Sequence, residues 1–203
     1  MTDSIFNPEY QNHNTSSKII VALERISQAF KVLLWEKAKT FGLSPIQIQI
    51  LLFIAYHKQD FCNVSYIANE FNVTKPTVSD AVKALIKKGH IEKKASLSDS
   101  RSFSMVLTPS GKHLITETED FANPINTQIE TLEPSKREDV FKSLSQVIYK
   151  LNQAGILTVQ RTCYGCKFYD NKKGGHYCNL LDKPLKVSDI RIDCPEFDAK
   201  NTE

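Results

Sequence analysis

The stretch VSYIANEFNVTKPTVSDAVKALIKKGHIEK, residues 64–93, decides the fold. Val64, Ile67, Ala68 and Phe71 stand at i, i+3, i+4 and i+7, the spacing that gathers side chains on one helix face. After Asn72-Val73-Thr74 a second helix is predicted, with Thr74 as cap and Pro76 in the first turn, where no amide donor is needed. Val78, Ala81, Val82, Leu85 and Ile86 form its apolar stripe, and Gly89 ends it. Two short β-type runs follow, Ile91–Ala95 and Phe103–Leu107, around the polar turn SLSDSRS. Two short helices across a tight turn, then a charged hairpin, make a winged helix-turn-helix in a mainly α (α+β) chain.

With the apolar stripe buried, the second helix turns Pro76, Asp80, Lys83 and Lys87 outward, flanked by Lys75, Thr77 and Ser79. Short polar groups near its start can reach base edges in a major groove. Lys83, Lys87 and Lys88 stand where they would neutralise phosphates. Residues 74–112 hold eight basic residues against three acidic ones, whereas the whole chain carries a net charge of only +3. Lysines on a helix are also compatible with simple solvation, and Asp99 with Arg101 is compatible with a turn salt bridge.

Outward from this centre lie longer helices. Ile19, Ile20, Leu23, Ile26, Phe30, Leu33 and Leu34 mark an amphipathic helix over residues 15–40 that stops at Gly42. Ser44-Pro45 opens a helix too apolar for a surface element, so it belongs in the core. Thr108-Pro109 caps a further helix, bent near Pro124, and Pro134 opens the last long one, with Val140, Phe141, Leu144, Val147, Ile148 and Leu151 as its seam. Residues 1–14 read as a flexible arm, 15–160 as the main domain and 161–203 as a separate tail.

The run DSRSFSMVLTPSG, residues 99–111, resembles the wing signature of the MarR family, D-x-R followed by L-T-x-x-G. The stretch quoted first resembles that family's helix-turn-helix, and LSPIQIQILLFI, residues 43–54, its second helix. The resemblance covers about residues 15–155. It implies a homodimer joined through the first and last long helices and reading a pseudo-palindrome in double-stranded DNA as a transcription regulator, here expected to repress. It also implies that Arg101 enters the minor groove, braced by Asp99. Many such proteins bind a small-molecule effector, and no residue pattern here names one. Cys62 does not stand where peroxide-sensing relatives carry their reactive cysteine, and it reads as a small, partly buried residue.

The tail does not match that family. It spaces four cysteines as Cys163-x2-Cys166-x11-Cys178-x15-Cys194. A CxxC turn offers two thiolates from one bend, eased by Gly165, and two further cysteines complete a tetrahedral set for zinc. A segment of about 40 residues with modest apolar content cannot fold by burial alone, and a bound metal is a common remedy. His176 is a further candidate, as ligand or as partner of one. An iron–sulfur cluster is the alternative, given Tyr164, Phe168, Tyr169, Tyr177 and the Cys194-Pro195 pair, and a thiol-only switch is a third.

The chain shows no Ser/His/Asp set, paired-carboxylate motif or glycine-rich phosphate loop, and four thiolates leave zinc no open position for water, so an enzyme is not expected. No apolar run reaches the ~20 residues of a membrane span, and the polar N-terminal stretch lacks a signal-peptide pattern. The expected place is the cytoplasm, where cysteine sets are metal or redox groups more often than disulfides. The rival reading is a metal or redox protein, or an interaction module, that uses the helical body as a dimer scaffold.

Overall fold

A computed structural model describes residues 4–95, 103–171 and 175–200. The segment expected as an arm carries a short helix, α1 (Pro8–Gln11), because Asn7 accepts from the Glu9 amide and Pro8 starts the turn. Helix α2 (Thr15–Thr40) runs from an Asn14 cap to Gly42, whose φ of +62° reverses the chain. Helix α3 (Pro45–Tyr56) starts at a capping box between Ser44 and Gln47 and buries Ile48, Ile50, Leu51, Phe53 and Ile54. It is the central rod on which α2, the helix-turn-helix and the following α6 all pack.

The helix-turn-helix consists of α4 (Val64–Glu70) and α5 (Lys75–Lys87), joined through Asn72 at positive φ and capped by Thr74. Strands β1 (Ile91–Ala95) and β2 (Phe103–Leu107) pair antiparallel, Ile91 opposite Leu107 and Ala95 opposite Phe103, as the hairpin reading requires. Helix α6 (Pro109–Thr118) begins where Gly111 is wedged under the strand, since a Cβ there would lie 2.0 Å from the His90 carbonyl oxygen. This close approach explains the glycine of the wing motif. A 3-10 turn then leads to α7 (Asn123–Glu130), so the bend at Pro124 is a helix start.

The apolar row of α2 does not face this core. Leu34 is buried, but Ile19, Ile20, Leu23, Ile26 and Phe30 are 38–55% exposed. Helix α8 (Pro134–Gln153) likewise leaves Val140, Leu144 and Val147 exposed, and packs against the tail. In the tail, β3 (Tyr169–Asp170), β4 (His176–Cys178) and β5 (Lys183–Leu185) form a small antiparallel sheet in sequence order. Among the described residues no single helix is long and apolar enough to cross a membrane.

Candidate nucleic-acid interface and cysteine centre

Helix α5 divides its residues as its period dictates. Val78, Ala81, Val82 and Leu85 are buried, and Lys75, Pro76, Thr77, Asp80, Lys83 and Lys87 are exposed, with Ser79 at the edge. Thr77 shares its hydroxyl with Thr74 at 2.8 Å, which ties the helix start together. Asp80 accepts from Lys83 at 3.0 Å with both side chains about three-quarters exposed, so the acid orients the lysine rather than opposing it. Lys88 departs from expectation: its ammonium donates to the Gly42 carbonyl at 2.5 Å, turning it toward the body. On the wing, Lys93 lies 4.1 Å over the Phe103 ring. Asp99 and Arg101 lie outside the described residues. The face that remains is polar and carries Lys75, Lys83 and Lys87 against Asp80, suited to phosphates and base edges.

The four tail cysteines converge although 31 positions separate the first from the last. Cys163 and Cys166 come from one 3-10 turn, Cys178 ends β4, and Cys194 lies in the closing loop. All four line one pocket, walled by Phe168, Tyr169, Leu180, Leu181 and Leu185. At Gly165 a Cβ would meet the side-chain amide of Gln160 at 1.8 Å, so any larger residue would have to displace that side chain. The Arg191 amide donates to Cys163 Sγ at 3.3 Å, as amides do around ligating sulfur. Burial pushes the Cys163 thiol above its usual range; that amide works against the shift, and the thiolates of Cys194, Cys166 and Cys178 add to it. A cation at the centre would reverse that balance.

The donor set is soft and convergent, which fits zinc or an iron–sulfur cluster. Among the described residues no three His, Cys, Asp or Glu side chains are drawn closely enough together to hold a metal ion. A single zinc ion, bonded at about 2.3 Å, requires the sulfurs to close in. His176 is not on the pocket wall: its Nδ1 is 2.5 Å from the Tyr169 hydroxyl, among the rings of Tyr164 and Tyr169.

Sequence reading missed the residues that bind tail to body. Arg161, 6% exposed, forks onto Glu70 of α4 at 2.7 and 2.9 Å and donates to the Tyr66 hydroxyl at 2.8 Å. Its other donors reach Asp193, through Nε to Oδ1 and through NH2 to Oδ2 at 3.1 Å. The guanidinium lies 5.8 Å from the rings of Phe53, Phe61 and Tyr66. His57, stacked on Phe53, meets Asp193 at 2.5 Å. The hydrogen bond to Asp193 raises the His57 pKa, against burial and the nearby Arg161. His57 and Arg161 together hold the Asp193 carboxyl well below its usual range, despite its burial. The available signal was position: Arg161 lies two residues before the first cysteine of the set and Asp193 one residue before the last. Cys62, 1% exposed, is pushed up to about 11 by burial and, secondarily, by Asp60, so it is a core thiol.

The sequence model of the MarR family matches residues 41–102, and no curated protein matches the chain. Among solved structures, the Staphylococcus aureus MepR–DNA complex is 26% identical, with 64% of this chain and 96% of that one covered at a TM-score of 0.56. Staphylococcus aureus MepR in its DNA-binding conformation gives 24%, 66%, 98% and 0.59. Staphylococcus aureus MarR in complex with salicylate and kanamycin gives 20%, 68%, 93% and 0.59, a likeness of fold. These chains are covered almost whole, while roughly a third of this one lies outside each match. Residues 41–102 thus match the MarR family, and the winged-helix body shares the fold of the solved MepR and MarR chains.

Proposed function

We propose that the chain is a sequence-specific DNA-binding transcription regulator, a repressor, acting as a homodimer on a pseudo-palindromic operator. The observation that carries this reading is the outer face of α5, where Lys75, Thr77, Lys83 and Lys87 are exposed and free of apolar neighbours on their own stripe. MepR, solved on DNA, supports it by likeness. Thr77, Ser79 and the Asp80-oriented Lys83 would read bases, and Lys87 would hold phosphate. The family resemblance assigns the minor groove to Arg101 with Asp99. The exposed apolar rows of α2 and α8 support the homodimer, since an uncovered face of this length is an interface rather than a solvent surface. Salicylate on the related MarR supports a small-molecule effector, for which the cleft between α2 and α7, lined by Leu33, Lys37, Phe121 and Thr127, is a candidate.

In the tail, Cys163, Cys166, Cys178 and Cys194 would hold a metal centre, zinc being one occupant. The alternative occupant is an iron–sulfur cluster, for which the same four pocket-lining thiols would be the ligands. Either would supply the cross-link that the tail's small core does not.

Selection from random duplexes, then retardation at increasing salt, tests the DNA reading. The expected result is a two-fold symmetric site with half-sites about one turn apart and an affinity that falls steeply with salt. Equal binding to all duplexes would refute it. Metal analysis and a visible spectrum of anaerobically purified protein separate one zinc, colourless, from several irons.

A further inference from the structure

The cysteine centre and the DNA-binding helices are joined by one buried side chain. Arg161 stands two residues before Cys163, and Asp193 immediately precedes Cys194. Their backbones form a parallel bridge, and the Cys194 amide donates to the Arg161 carbonyl at 3.1 Å. The Cys163 amide is held in the same way by the Arg191 carbonyl, at 3.1 Å. A shift of either cysteine therefore moves the frame that aims the guanidinium. The other fork of that guanidinium grips Glu70, the last residue of α4, one short turn before α5. Thr158 adds a second tie at the same helix end, donating to the Asn69 carbonyl at 2.5 Å. Helix α4 in turn packs directly on α5.

We propose that the occupancy of the tail's metal centre is transmitted to the helix-turn-helix through Arg161, a positioning residue that links Asp193 beside Cys194 to Glu70 at the end of α4. The proposal rests on the metal-centre and DNA-binding readings above. Two features make the link a transmitter rather than a tether. Both forks are two-point carboxylate–guanidinium contacts, which fix orientation as well as distance. The guanidinium is also buried among close-packed rings, where a displacement is passed on and not absorbed. When the thiols close on the centre, Asp193 and Arg161 are held in register and α4 is fixed under α5. When they are released, that support is lost.

The test uses the full chain, loaded with Zn2+ or, anaerobically, with ferrous iron and sulfide, and compared with chelator-stripped protein on one selected operator. The loaded form should bind more tightly by roughly 5–150-fold, the span of ordinary allosteric coupling. In Arg161→Lys, which keeps the charge but cannot bridge two carboxylates, metal should still bind in the same stoichiometry while the ratio falls below about two-fold. Glu70→Gln, a change at the rim of the network, should do the same and guards against a folding defect in the first variant. Hydrogen exchange gives a readout apart from DNA: amides of Val64–Glu70 should speed up on stripping in the native chain and be indifferent to it in both variants. A chain that takes up no metal, or binds no DNA, would overturn the reading beneath the proposal and the relay with it. A native chain that does both but shows equal affinities, or variants that keep the full ratio, would overturn the relay alone.

Discussion

The body and the tail of this protein hold their shapes by different means. In the body, α3 contributes Ile48, Ile50 and Leu51 at zero exposure, and Ile67, Val78, Leu85, Ile91 and Met105 close around them. In the tail, Cys166, Leu185 and Ile190 are the buried apolar side chains among the described residues. Its interior consists instead of thiols, tyrosines and a buried ion-pair network. A domain of the first kind is stabilised by apolar area, at roughly 25 cal/mol per Å2. A segment of the second kind needs a cross-link and a partner surface, and a change in either alters its state. The apolar-cored part carries the exposed face of α5, and the tail is fastened to the end of α4 through Arg161.

The strongest way to break this contrast is to remove the cross-link. Replacing Cys163 and Cys166 by Ser should reduce bound metal to near zero and make the chain after Gln160 sensitive to protease, while the body keeps its helical signal and its dimer. A body that unfolds along with the tail would show that the two are one cooperative unit. Leu51→Ala sharpens the contrast from the other side. It should cost about 2–5 kcal/mol by leaving a cavity in α3, read as a lower denaturant midpoint for the body, with metal content unchanged in the folded fraction.

The helix-turn-helix was legible because its information is periodic and local. Each apolar residue of α5 is three or four positions from the next, and Thr74, Gly89 and Gly111 punctuate the chain where turns require them. The cysteine set was legible as a spacing, and its four members line one pocket. The Arg161 network was not legible. Its partners are 91 residues away at Glu70 and 32 at Asp193, and no repeat announces a single arginine that meets two acids. Lys88 was misplaced for a related reason: its sequence position matches that of Lys87, and only the approach of Gly42 distinguishes them.

Smaller effects should separate the roles along α5. Thr77→Ala or Lys83→Ala should change base preference by about 1–3 kcal/mol at one operator position, seen by comparing single-base variants. Lys87→Ala should weaken all sequences alike and lower the salt slope by about one unit. Equal behaviour of Lys83 and Lys87 would remove the distinction between reading and holding.

The gentlest probe is pH. The His57 pKa is raised in the folded chain by Asp193, against burial and Arg161. The stability it contributes is therefore fully present below its unfolded value of about 6.5 and is lost as pH rises through the higher folded value. Tail docking, followed by exchange of the amides around Asp193, should loosen slightly as pH rises through that raised value in the native chain and show no such step in His57→Phe.

The tail's contacts also set an order of events in time. His57 meets Asp193 across 136 residues and Lys58 approaches Glu196 across 138, so the surface on which the tail docks is made long before the tail exists. At a synthesis rate of roughly 5–20 residues per second, with early segments folding first, a nascent chain spends several seconds with a finished helix-turn-helix and no tail behind it. With the proposed metal centre, the delay lengthens by however long the cysteines wait for an ion. If the proposed relay operates, a newly made molecule has its helix-turn-helix before its control element, and in a growing cell the young fraction of the population would act on DNA independently of the metal supply.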